Sequence, residues 1–501
     1  VTPAASPLAA LEPRSVWDQF DALRKIPRPS KQEERARAHV RALFETRGFE
    51  IRQDATGNVL VRVPATKGRE KAPVTIIQGH LDMVTEKNSE TAFDWDRDPI
   101  DVWIDGDWVR ARGTTLGADN GIGVAAAIAS ALDPSVVHGP LELLFTVDEE
   151  TGLTGAMGLD PGLLTGKRLI NLDSEEEGIL YIGCAGGCNS RLTLRCEAAA
   201  PPAGALGARI AVAGLAGGHS GAEIHENRGN AIKVLARVLG RATGAPAERG
   251  GPAGTDLGIE IASLEGGNKH NAIPREAAAV VVVPGAAALE ALRALAAAER
   301  ERAHAEFATS DPSLRVAVEA APAPARALAR SDRNRVIALL AAIPSGVLSM
   351  SRDIKGLVET SNNLATVRTE GATIEVLTSS RSSVAPALRA TLDMVAAAAR
   401  LAGASVAESD GYPGWQPNTK SPLLALCKRV YAEMTGAEPA VAAIHAGLET
   451  GLLGVKVPGI DMISYGPDIR GPHSPDERVK ISSVARFWEY HKAVLRALAE
   501  G

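Results

Sequence analysis

Two histidines and a set of carboxylates stand just past short apolar runs in this chain. VTIIQ at 74–78 leads into Gly79, His80, Leu81 and Asp82, and LELLFTV at 141–147 leads into Asp148, Glu149 and Glu150. RLINL at 168–172 leads into Asp173, and MISY at 462–465 leads through a Gly/Pro loop to His473. Singly, each of these residues reads as an ordinary surface loop residue or helix cap. Together, two imidazoles and several carboxylates without a cysteine form a ligand set suited to Zn²⁺, Mn²⁺ or Co²⁺. Adjacent residues leaving a strand point in different directions. One carboxylate of the Glu149–Glu150 pair is therefore able to bind metal while its neighbour takes a proton from a water held there. Asp119, in GADNGIG at 117–123, reads either as a turn residue or N-cap or as a carboxylate bridging two cations about 3.5–4 Å apart.

The elements that must bring these residues together follow from periodicity. Trp17, Phe20 and Leu23 fall at helical spacing, and Ser30 with Glu33 has the form of a capping box for a second helix through Val40, Leu43 and Phe44 to Gly48. Beyond it, strand-like runs alternate with a Gly/Ala segment at 121–132 that suits a helix, the pattern of a layered α/β domain. In such sheets ligands bind outside the carboxyl ends of the strands, where all four polar clusters fall. From about 190 to 390 the texture changes to stretches such as EAAAPPAGALGA, GRATGAPAERGGPAGT and EAAPAPARALARS, mixed with strand-like AVVVV. The predicted organisation is a discontinuous α/β domain, 1–188 with 391–501, interrupted by a folded insertion at 189–390.

Bulk properties exclude several classes. The chain has 501 residues, 45% of them hydrophobic and 23% charged, as in a folded globular protein of two domains. A net charge of −6 and 4% aromatic residues provide neither a basic field nor stacking platforms for nucleic acid. The opening residues lack the basic start and apolar stretch of a secretory leader. The apolar stretch 336–347 is broken by Pro344 and too short for a bilayer, so no membrane association is expected. Four cysteines suit free thiols in a reducing compartment, which points to the cytoplasm. Cys184 and Cys188, as a lone C-x3-C, are a weak metal signal.

GHLDMV at 79–84, GADNGIG, DEE at 148–150, NLDSE at 171–175, GGHSG at 217–221 and HSPDE at 473–477 together resemble the zinc aminopeptidase/aminoacylase-type metallopeptidase family. GGHSGAEIHENRGNA and IHAGLETG are most similar to its bacterial aminoacyl-histidine dipeptidase branch, related to carnosinases. The resemblance implies an α/β fold, a di-metal catalytic domain with a mixed sheet and helices on both faces, interrupted by an inserted α+β lid and dimerisation domain. It further implies two zinc ions per chain, with Co²⁺ or Mn²⁺ as alternatives. His80 and Asp173 would hold one ion, Glu150 and His473 the other, and Asp119 would bridge them across a cis Asp119–Asn120 bond. Asp82 would orient His80, and Glu149 would be the general base. His219 of GGHSG would stabilise the oxyanion from the lid. Asn271, Arg381 and Glu449 would face the substrate, the arginine pairing with a peptide carboxylate through its planar fork. An exposed strand-end charge remains the plainer reading of Arg381, and structural roles remain open for His225, His445 and Glu449. The implied substrate is a dipeptide, including Xaa-His and β-alanyl-histidine, and the implied assembly is a homodimer. An N-acyl amino acid deacylase keeps the same site chemistry, and a non-catalytic metal- or peptide-binding scaffold is the reading from a different class.

Overall fold

A computed structural model of the chain describes residues 6–244 and 256–501. Residues 1–5 of the opening stretch and 245–255 of GRATGAPAERGGPAGT lie outside the described residues. The chain forms two compact units, the first from Val1–Cys184, Trp415–Ala443 and Leu448–Gly501, the second from Ala185–Gly414 and Ile444–Gly447. The far boundary differs from the predicted 390/391, which falls inside the helix Ala385–Leu401. The second unit runs on because strand Ser405–Glu408, which follows that helix, pairs antiparallel with strand Gly186–Arg195 of the same unit.

In the first unit eight strands form a mixed sheet, ordered Glu50–Gln53, Val59–Val63, Leu141–Thr146, Thr75–His80, Arg168–Asn171, Asp461–Ser464, Ile179–Cys184 and Ala440–Ile444. Its four central strands, Leu141–Thr146, Thr75–His80, Arg168–Asn171 and Asp461–Ser464, run parallel. Ile76, Ile77, Leu143, Leu144, Phe145, Leu169 and Ile170 are fully buried, which explains why these strands read as continuous apolar runs rather than alternating ones. Helix Arg14–Leu23 buries Trp17, Phe20 and Leu23 as their spacing predicts. It packs on helix Ala118–Leu132, whose Gly- and Ala-rich face also lies against strands Thr75–His80 and Leu141–Thr146. A second sheet of four strands joins Ile469–Arg470, Arg478–Lys480, Trp108–Ala111 and Val102–Asp105.

The second unit is built on a nine-stranded sheet whose recorded pairings are all antiparallel. Helices Ala231–Ala242, Ala286–Phe307, Arg330–Ala342 and Ala385–Leu401 share one apolar core with it, through residues such as Leu235, Leu292, Leu340 and Val395. Among the described residues no helix is long and apolar enough to cross a membrane. All four cysteines are free, and none joins a described cluster able to hold a metal.

Leu143 sits in the middle of a strand with neighbours on both sides. Leu143→Ala should cost about 2–5 kcal/mol, the range for a cavity in a core that relaxes only partly. Urea unfolding followed by circular dichroism measures it.

Candidate active site

The four parallel strands end on one edge of the first unit's sheet, and the candidate ligand residues His80, Glu150 and Asp173 lie at or just past that edge. His80 is the last residue of strand Thr75–His80. Asp119 sits in the first turn of helix Ala118–Leu132, and the Asp119–Asn120 bond that follows it is cis. Glu149 and Glu150 begin a single helical turn after strand Leu141–Thr146, and His473 lies in the turn between strands Ile469–Arg470 and Arg478–Lys480.

Asp119 is shared between two groups. Its Oδ1 lies 3.2 Å from His80 Nε2 and its Oδ2 lies 3.2 Å from His473 Nε2. His80 Nε2 is also 3.3 Å from Asp173 Oδ1, and His473 Nε2 is 3.0 Å from Glu150 Oε2. His80, Asp119 and Asp173 therefore form one triad and Asp119, Glu150 and His473 another, the donor atoms of each within 4.8 Å of one another. Ligands about 2.0–2.1 Å from a tetrahedral zinc stand about 3.3 Å apart, so these separations fit a divalent ion in each triad. The buried Glu150 Oε1, which has no hydrogen-bond partner, fits the same reading.

Three polar groups hold the ligand loops. Asp82 is fully buried, with Oδ1 3.4 Å from His80 Nδ1. Its two oxygens accept the Glu149 and Glu150 N–H groups at 3.0 and 3.2 Å, so one carboxylate orients an imidazole and both acidic neighbours. Burial opposes ionisation of Asp82, yet the hydrogen bonds and charge of His80 and the bond from Ser30 hold its pKa down at about 2. Glu477 is buried and accepts four successive backbone N–H groups, of Leu116, Gly117, Ala118 and Asp119, at 2.7, 2.9, 2.7 and 3.2 Å. Asn120 Nδ2 donates to Leu172 O at 2.6 Å, tying the Asp119 loop to the strand end that carries Asp173. Sequence reasoning quoted HSPDE for its histidine and left Glu477 unassigned, because its partners lie far away in the chain and their backbone amides carry no residue signature.

A polar row crosses the sheet one layer below the ligands. Glu449 Oε2 accepts from Gln78 Nε2 and Thr146 Oγ1, both at 2.6 Å. Gln78 Oε1 accepts from Asn171 Nδ2 at 2.6 Å, and Asn171 Oδ1 accepts from Ser464 Oγ at 2.5 Å. Glu449, expected on the substrate side, is 0% exposed, and the bonds it makes cross-link strand ends. Burial pushes its carboxyl up to about 7. Glu149 is raised well above the ordinary carboxylate range by burial, against the pull of His80 and with the repulsion of Asp173, Glu449 and Glu150.

The second unit gathers the remaining predicted residues. His219 pairs with Ala272 in a two-stranded ribbon, and Asn271 O accepts the Ser220 N–H at 2.8 Å, so His219 and Asn271 are neighbours. His219 Nδ1 accepts from the Gly221 and Ala222 N–H groups at 3.3 and 2.9 Å. Burial and the Arg381 charge lower its pKa. A neutral His219 must then carry its proton on Nε2, as a donor. A Cβ on Gly221 would lie 2.5 Å from His445 O, 3.0 Å from His219 Cε1 and 3.3 Å from Arg381 Cζ, so only glycine lets these three groups close together. Arg381 is not an exposed strand-end charge: it is 6% exposed, flanked by strands on both sides, with Nη1 on Tyr412 Oη at 2.8 Å and a buried Nε lacking a partner. His445 is buried against Ser361 Oγ at 2.7 Å, whereas His225 is exposed beside Glu226.

The neighbouring carboxylates favour the protonated form of both candidate ligand imidazoles. Hydrogen bonds to Asp119 and Glu150 raise His473 to about 11, and despite its burial His80 is raised well above the usual range by Asp173 and Asp119. A raised histidine pKa means a proton that metal must displace, so metal affinity should climb as pH rises through neutrality. Calorimetric titration in buffers of different ionisation enthalpy should show protons released. Glu477→Gln turns an acceptor into a donor facing two amides, and should weaken metal binding by about 10–100-fold in chelator competition.

Residues 76–497 match the profile of peptidase family M20/M25/M40. The chain is 41% identical to the cytosol non-specific dipeptidase of Escherichia coli strain K12 over 493 residues, 98% of this chain and 99% of that one. Among solved structures it superposes on the aminoacylhistidine dipeptidase of Vibrio alginolyticus with a TM-score of 0.90 and 40% identity, covering 98% of each chain. The aminopeptidase PepT of Bacillus cereus shares the fold, at a TM-score of 0.55 and 16% identity over 98% of this chain and 99% of that one. With two ligand triads meeting at Asp119 and a family profile that spans most of its length, the chain belongs to peptidase family M20/M25/M40.

Proposed function

We propose that the chain is a two-zinc dipeptidase, with Co²⁺ or Mn²⁺ as alternative ions, that hydrolyses unblocked dipeptides, Xaa-His and β-alanyl-histidine among them. The observation that carries this is the pair of triads sharing both oxygens of Asp119; Glu149 stands beside them, grouped with His80 and Glu150 but not with Asp119. His80, Asp119 and Asp173 would hold one ion, and Asp119, Glu150 and His473 the other. When bound, such ions supply Lewis-acid charge that polarises a carbonyl and makes water nucleophilic at neutral pH. Glu149 accepts the proton of the attacking water and returns it to the leaving nitrogen as the C–N bond breaks. Asp82 keeps His80 and the Glu149 backbone in register for that transfer. His219, with its proton on Nε2, donates to the carbonyl oxygen as it becomes an oxyanion. Arg381, which has a guanidinium nitrogen to spare, pairs with the terminal carboxylate, and Asn271 beside His219 contacts the peptide. The relatives named for non-specific and aminoacylhistidine dipeptidases support the substrate class; histidine selectivity rests on the second alone.

His219 and Arg381 lie together in one unit, which supports a fixed span from scissile carbonyl to terminal carboxylate if they take these roles. A dipeptide matches that span with one residue, whereas a tripeptide leaves the arginine unpaired at a cost of about 1–3 kcal/mol. A cytoplasmic homodimer with the second unit as lid completes the reading, and sedimentation equilibrium tests the assembly.

With two ions bound, kcat/KM should rank Ala-His, β-Ala-His and Ala-Leu above Ala-Ala-His and N-acetyl-His. Preference for the tripeptide removes the fixed-span argument, and preference for the acetylated substrate makes the protein a deacylase. Glu149→Gln should lower kcat by about 10²-fold or more while retaining two ions. Glu150→Gln should instead lose metal, and the reverse pattern exchanges the two roles.

A further inference from the structure

The segment Arg28–Glu33 precedes the stretch matched by the family profile, and its Ser30-x-x-Glu33 pattern reads as a capping box. Neither side chain caps a helix. Helix Glu34–Glu45 starts after Glu33, which makes no side-chain cap bond. Ser30 Oγ instead donates to Asp82 Oδ2 at 2.7 Å, and Glu33 Oε1 accepts the N–H of Asp148 at 2.9 Å together with that of Lys31 at 2.8 Å. Arg28, 2% exposed, donates Nη1 to the carbonyls of Leu81 and Asp82 at 2.9 and 2.8 Å, and Nη2 to the carbonyl of Gly117. The chain bond from Met83 N–H to Arg28 O, at 3.1 Å, lays the segment alongside the His80 loop. Six consecutive residues thus reach all three loops that carry His80 and Asp82, Asp119, and Glu149 and Glu150.

What each bond does is specific. Gly117 is held from both sides, its N–H by Glu477 at 2.9 Å and its carbonyl by Arg28. Asp148 is in the left-handed region at φ 50°, ψ 49°, which disfavours most non-glycine residues. Its N–H is turned onto Glu33, and its carboxylate accepts the hydroxyls of Thr151 and Thr154. That turn aims the next two N–H groups at Asp82 and sets where the Glu149 side chain leaves the backbone. A buried charge such as Arg28 is a poor source of stability, so what it contributes is placement.

We infer that Arg28, Ser30 and Glu33 are positioning residues of the active site, with Glu33 setting the direction of Glu149 through the Asp148 turn and Ser30 setting His80 through Asp82. The Glu33 part rests on Glu149 being the base; the Ser30 part concerns metal binding alone.

Glu33→Met keeps the length of the side chain and removes the acceptor, whereas Glu33→Gln keeps Oε1. In the metal-loaded enzyme with Ala-His, Glu33→Met should lower kcat by about 10–100-fold with KM and metal content nearly unchanged and Tm lowered by the two N–H groups left unpaired, and Glu33→Gln should restore most of the kcat loss. Wild-type kcat in Glu33→Met, or a glutamine variant no better than the methionine one, overturns the role of Glu33. Should Glu33→Met fail to fold, Ser30→Ala decides, since it removes a single hydroxyl bond of a half-buried side chain. Its affinity for Zn²⁺, read by chelator competition, should fall by about 10-fold with an unaltered circular dichroism spectrum, and unchanged affinity overturns the proposal. If the wild-type enzyme cleaves no dipeptide, the proposed function fails while the chelator measurement still decides this one.

Discussion

The site depends on one carboxylate being shared. Each oxygen of Asp119 faces a different imbalance of charge, an imidazole with one further carboxylate, so moving Asp119 disturbs both triads at once. The surrounding structure is arranged against such movement. Glu477 grips the four amides that lead into Asp119, and Asn120 fastens the far side to Leu172. A carboxylate taking four amide hydrogen bonds is a strong, directional anchor, because each of its oxygens accepts two of them in a buried place.

Beneath the ligands, the row from Glu449 through Gln78 and Asn171 to Ser464 ties the ends of neighbouring strands together. Buried amides and hydroxyls in the middle of an apolar sheet are costly unless each finds a partner. In this row they do, and the requirement to satisfy them fixes the relative advance of the strands. Registry is what a di-metal site needs, since a slip of one residue would point His80 to the opposite face.

The second unit solves a different problem by similar means. Its turn at His219 uses two backbone amides to choose a tautomer, leaving Nε2 as the donor without any second side chain. Arg381 is buried between strands with part of its guanidinium unsatisfied, a condition that a carboxylate ligand relieves.

Much of the first unit was legible in the sequence, because continuous apolar runs identify strands buried on both faces and the polar residues ending those runs identify the sheet edge where ligands collect. His80, Asp119, Glu150, Asp173 and His473 were nameable on that ground together with the motif resemblance, and so was the acidic neighbour Glu149. The sequence could not say that Ser30 and Glu33 spend their side chains on Asp82 and Asp148 rather than on a helix end, since local spacing is the same in both cases. Nor could it place Glu477 on the amides of 116–119, find the bonds of Glu449 to Gln78 and Thr146, or carry the second unit past residue 390. Each of those outcomes turns on backbone groups, which every residue possesses alike, or on strand pairing between distant segments. Side-chain chemistry and periodicity are written in the chain, whereas the partner of a buried polar group is decided only when the tertiary fold brings one within hydrogen-bond reach.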